Sequence, residues 1–90
     1  MKYVYIGKET ATTIEDIHAE FRRVFNFPEY YGNNLDALHD CLTEVTEESL
    51  VLLADTDFYC KTLETKYAVF RIMLNDIVME NRNISFRELY

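Results

Sequence analysis

The run LVLLA, Leu50 to Ala54, constrains the fold more than any other stretch of the chain. Five apolar residues in a row between polar neighbours are the pattern of a strand buried on both faces of a parallel sheet, where neither face meets water and alternation is lost. Periodicity alone also admits a turn of buried helix. We read it as a strand. Parallel strands cannot be joined by tight turns and need crossovers of a dozen or more residues, usually helical, so helices are expected on either side of the run.

The flanking sequence supplies them. KYVYI, Lys2 to Ile6, is aromatic and β-branched, with Gly7 behind it, and reads as a first strand that can be covered on both faces. Thr12 then offers an N-cap with Glu15 three residues on, and Ile14, Ile17, Phe21, Val24 and Phe25 recur at spacings of three and four, which predicts a helix ending before Pro28. PEYYGNN is a connector in which proline fixes the turn, Gly32 can take a positive φ, and Asn33 or Asn34 can cap a second helix. That helix begins directly after them, with Leu35, Leu38, Leu42 and Val45 on one side. Beyond LVLLA, DTDFYCKTLE holds a short helix capped by Asp55 or Asp57, Lys66 to Glu80 a longer one, and ISFREL alternates as a closing strand with one face exposed. The order β-α-α-β-α-α-β predicts an α/β fold, a three-stranded parallel sheet with right-handed connections flanked by about four helices. Ninety residues without a linker or repeat are expected to form one domain, residues 1–90.

Charge narrows the partners. Sixteen Asp and Glu against nine Lys and Arg leave a net charge of -7. Such a chain repels phosphate backbones and anionic lipid, so neither nucleic acid nor membrane is an expected partner, and a basic protein is. Cys41 and Cys60 both fall in helical segments and form neither a disulfide framework nor a metal clamp. The N-terminal MKYVYIGKETATT has too short an apolar run for a signal peptide, and no segment approaches membrane-spanning length, which predicts a cytoplasmic protein.

Few residues suit catalysis, and the expectation is a protein that is not an enzyme and needs no cofactor. His39 and Cys41 lie about 160° apart around a helix, a poor geometry for a nucleophile and its base. Asp36, His39 and Asp40 at i, i+3 and i+4 could share a divalent ion, but no matching ligand cluster occurs elsewhere. His18 sits beside the apolar face of the first helix, as packed or surface histidines do. Glu48-Ser49-Leu50 is similar to the serine-centred helix start of acyl carrier proteins, although this serine opens a strand-like run. Gly7 and Gly32 alone cannot build a phosphate-cradling loop.

The distinctive feature is a row of acids. Asp36, Asp40, Thr43 and Glu47 gather on the outer side of the second helix with His39 and Glu44 flanking them, directly after Tyr30 and Tyr31. Charge on the outer side of an amphipathic helix often reflects solvation alone. Aromatic residues beside charge are, equally, common interface anchors.

The segment PEYYGNNLDALHDCLTE resembles the central segment of the barstar-like family, intracellular inhibitors of secreted ribonucleases. Weaker similarity extends over most of the chain, including Ile14 to His18, the LVL run, Val69-Phe70-Arg71 and the last strand. The resemblance implies a three-stranded parallel sheet packed by helices, and a second helix with its preceding loop that plugs a ribonuclease active site, carboxylates standing in for substrate phosphates. By matching position it implies that Asp40 is the central phosphate mimic and Asp36 a second anion, that Tyr30 packs on the rim of the nuclease site, and that Thr43 hydrogen-bonds near the end of the helix. Asn34 falls in the same block, and Asp76 matches a family glutamate that pairs with a peripheral basic residue. His39 and Glu44 depart from the founding member, which has tryptophan and glycine there; Glu44 is expected to prolong the helix, and the two together to alter partner choice. The implied partner is a basic, extracellular-type ribonuclease, barnase-like or a related nuclease toxin. The alternative is a regulatory or scaffold protein of the same fold that binds a basic non-nuclease protein.

Overall fold

Residues 1–28 and 31–89 are described in the computed structural model. Seven elements run in the order β1 (Lys2–Ile6), α1 (Ile14–Phe25), α2 (Leu35–Thr43), β2 (Ser49–Leu53), α3 (Thr56–Thr62), α4 (Thr65–Glu80) and β3 (Ile84–Glu88). The strands form a parallel sheet in the order β1-β2-β3, an α/β fold of the expected kind.

Each crossover moves the chain one strand over in the same direction. Right-handed connections of that kind place both helix pairs on one face of the sheet. Val4, Ile6, Val51, Leu53 and Ile84 are accordingly buried beneath the helices, whereas Tyr3 and Tyr5 on the opposite face are 56% and 43% exposed. This corrects the expectation that the first two strands are covered on both faces. Leu50 and Leu52 are only half-buried, and in register they lie beside Tyr3 and Tyr5. Cross-strand packing against those rings shields them in place of a second helical layer.

The helix starts differ in detail from expectation. Thr13, not Thr12, caps α1, and its capping-box partner is Asp16, not Glu15. The Asp16 carboxylate accepts from the backbone N–H groups of Thr12 and Thr13 at 3.0 and 3.2 Å and from the Thr12 hydroxyl, and these bonds hold its pKa below the ordinary value. Asp55 precedes α3 in a left-handed conformation and makes no side-chain cap; its carboxylate accepts from the backbone N–H of Lys8 at 2.9 Å, fixing the β1–α1 loop. Under the helices Phe21, Leu38, Leu42, Tyr59, Phe70 and Leu74 are fully buried. The Tyr59 hydroxyl donates to the Ala11 carbonyl at 2.6 Å, so this core tyrosine is satisfied.

Candidate functional site

The α1–α2 connector is anchored from within. Tyr31 is buried and its hydroxyl lies 2.5 Å from Nδ1 of His18, while its ring packs 5.1 Å from that of Phe27. The reading of the connector tyrosines as interface anchors is therefore corrected for Tyr31: with His18 satisfying the hydroxyl, the ring can enter the core. Burial lowers the His18 pKa, against a smaller opposing effect of Glu15, and raises that of Tyr31. Both groups are thus neutral when bonded. Tyr30 lies outside the described residues.

Asn34 caps α2, its Oδ1 accepting from the backbone N–H of Ala37 at 2.8 Å and its Nδ2 donating to the Gly32 carbonyl at 3.3 Å. Positive φ occurs at Asn33, at 49°, and not at Gly32. What Gly32 provides is space, since a Cβ there would lie 2.9 Å from the capping amide. Leu38 and Leu42 then anchor the inner side of α2, leaving Asp36, Asp40 and Thr43 exposed on the outer side.

Asp36, Asp40, Glu44 and Glu47 all face solvent. Asp40 is 86% exposed, with Nδ1 of His39 3.9 Å from its carboxylate, beyond hydrogen-bonding distance. Among the described residues no ion pair joins Asp36, Asp40, Glu44 or Glu47 to Lys or Arg. Thr43 donates its hydroxyl to the Asp40 carbonyl at 2.7 Å, so toward a partner it can only accept. Glu44 does not prolong the helix as expected but is its C-cap. The ending is set from α4's end: the Asn81 side-chain amide donates to the carbonyls of Leu42 and Val45, both at 2.9 Å, and Val45 N–H closes back on Leu42.

His39 turns toward α4, with Nε2 2.9 Å from Glu80 Oε2. Asp76, exposed on α4, stands one turn before Glu80, so the two carboxylates share one side of α4. Glu80 and Asn81 were not among the expected site residues. Their partners lie some 40 positions away, and nothing in the local pattern marks either; only Glu80's i, i+4 spacing from Asp76 hints at a shared side.

Little of this arrangement suits chemistry. The Cys41 pKa is raised, by burial first and then by Glu44 and Asp40, which keeps the thiol protonated and poorly nucleophilic. Ser49 is fully buried in β2 and donates to the Glu47 carbonyl, so this serine is closed to a prosthetic arm. Among the described residues no group of three or more His, Cys, Asp or Glu is placed to hold a metal ion. None of their helices is long and apolar enough to cross a membrane. On a helix held at both ends by Asn34 and Asn81, the site offers a row of carboxylates without Lys or Arg partners among the described residues, open to charge-assisted hydrogen bonds with cationic side chains.

Across residues 1–90 the chain matches the family described as Barstar (barnase inhibitor). The chain belongs to the Barstar family. Among curated proteins, "Putative ribonuclease inhibitor YrdF" of Bacillus subtilis (strain 168) is 35% identical over 68 residues, 76% of this chain and 75% of the relative. The Barstar match takes in the capped α2 and its connector together with β1, α4 and β3, so the likeness read from PEYYGNNLDALHDCLTE extends to the elements that frame it.

Proposed function

We propose that the protein is a stoichiometric ribonuclease inhibitor that acts by occupation, not by catalysis. Its second helix and the preceding loop enter the active site of a basic, secreted-type ribonuclease, and the carboxylates stand where substrate phosphates would lie. The observation that carries this reading is the exposed row Asp36, Asp40, which has no Lys or Arg partner among the described residues, on a helix fixed at both ends by Asn34 and Asn81. A preorganised row loses little conformational entropy on binding.

In this reading Asp40 meets arginines and a histidine of the nuclease, Asp36 adds an anion one turn earlier, and the Thr43 oxygen accepts from a cationic donor. Tyr30 packs on the rim of the nuclease site. Asp76 pairs with a peripheral basic residue, and His39 and Glu44 tune partner choice. The net charge of -7 speeds encounter with a basic partner, an effect for which the barnase–barstar complex is itself a standard illustration. As a single domain working in the cytoplasm, the protein keeps Cys41 and Cys60 reduced and guards its cell from the enzyme before export.

Titration into a fixed amount of a basic secreted ribonuclease, barnase first and related nucleases after it, tests the reading. The expected result is a linear fall in RNA cleavage to an end point at one inhibitor per enzyme for at least one of them. Undiminished cleavage throughout, with affinity capture yielding only basic proteins that do not cleave RNA, would overturn it in favour of a scaffold role.

A further inference from the structure

Between the end of α1 and the C-terminal half of α2 runs an open groove of about 590 Å³. Phe25, Phe27 and Val45 line it, all partly buried against the core, and Asp40, Glu44 and Glu47 line it from exposed positions. The Phe25 and Phe27 rings stack 5.7 Å apart at 13°, forming a continuous aromatic wall. At one end the chain's own Lys2 already places its ammonium 5.6 Å from the centre of the Phe25 ring. The Phe25 end of the wall thus holds a cation, and the three carboxylates that line the groove with Phe27 have no Lys or Arg partner among the described residues.

We propose that this groove is a socket for one arginine side chain of the basic partner, its guanidinium between Glu44 and Glu47 and its flat face on the ring of Phe27. The inference rests on the reading of a basic partner and names the chemistry that partner brings to this edge of the site. Arginine fits better than lysine because a planar guanidinium stacks on an aromatic face while its edge engages carboxylates. Glu44 stands where the founding family member has glycine, so the socket distinguishes partners that bear arginine at this point from those that do not.

The socket can be tested without any nuclease, by following backbone amide resonances of the intact protein during titration with N-acetyl-arginine methylamide and with the citrulline counterpart, which keeps the shape and lacks the charge. The arginine probe is expected to shift the amides of Phe27, Cys41, Glu44 and Val45 along saturating curves, and the citrulline probe is not. The double variant Glu44→Gln, Glu47→Gln should weaken the arginine probe about threefold or more, and Phe27→Leu about twofold or more. All these side chains are exposed or half-buried, and the dispersion of the same spectra reports whether each variant is folded. Equal shifts from both probes, shifts elsewhere on the surface, or unchanged affinity in the folded double variant would overturn the proposal. Such a failure beside intact one-to-one inhibition removes the socket alone; arginine binding beside a failure to inhibit any ribonuclease removes the inhibitor reading and leaves the socket.

Discussion

Nδ1 of His18 and the hydroxyl of Tyr31 form a buried pair that ties the first helix to the connector in front of the acidic one. Because burial lowers the His18 pKa, the folded protein favours the neutral imidazole. This contribution is fully present above the unfolded value of 6.5. As pH falls below that value the unfolded chain takes up a proton that the folded chain resists, so stability declines until the lower folded pKa is passed and then levels off. Urea midpoints for the parent should fall between about pH 7.5 and about pH 5.5. His18→Gln should be less stable at neutral pH, by about 1–3 kcal/mol for a disrupted buried hydrogen bond, and flatter across that interval. The lowered Asp16 carboxyl acts only in more acid solution, below its ordinary value of 3.8.

Asn81 governs the far end of the acidic helix. Asn81→Ala removes the donor shared by the Leu42 and Val45 carbonyls and the acceptor for the Asn83 N–H, at a cost of about 1–3 kcal/mol. Hydrogen exchange should accelerate first at Leu42 to Val45. Equal acceleration throughout the chain would mean that Asn81 supports the fold generally and not this end in particular.

At the near end, Asn34→Ala should cost about 1 kcal/mol of stability through the lost cap. Asn34→Asp keeps the capping oxygen and places a charge where the helix dipole favours it. If Asn34 acts on the partner by positioning, inhibition lost in the alanine variant returns in the aspartate one. Loss in both would assign its amide a direct contact with the partner.

Association should be steered by charge. The rate constant for binding a basic ribonuclease should fall steeply with added salt while the dissociation rate changes little, because exposed charges beyond a Debye length are screened and contacts already formed are not. Asp36→Asn should flatten that salt dependence in stopped-flow measurements.

Much of the fold was legible because its signals are local. LVLLA, KYVYI and the period of the second helix each lie within a few residues, and the strand order follows from helical crossovers. The open face of the sheet was not, because an apolar run on a middle strand looks the same whether helices or neighbouring tyrosines shield it. The site divides in the same way. Asp36, Asp40 and Thr43 could be placed from the helical period, since an exposed side is the complement of a buried one. Tyr30 and Tyr31 are adjacent and chemically identical; the partner that draws Tyr31 inward, His18, stands thirteen residues earlier in another helix. The helix stops at Thr43 because Asn81 intervenes, a long-range effect that Glu44's helix propensity could not reveal.

The inhibition constant of Asp40→Asn, measured beside its unfolding free energy, tests the central claim most directly. Asp40 stands one turn from Asp36 and one from Glu44, so neutralising it relieves repulsion and should leave stability unchanged or raise it by a few tenths of a kcal/mol. Against a ribonuclease that the parent inhibits, the same change should weaken inhibition at least about tenfold, the loss of about 1.5–3 kcal/mol expected for a charge-assisted hydrogen bond. A variant that inhibits as tightly as the parent would show that the acidic row is a solvated face and not a substitute for RNA.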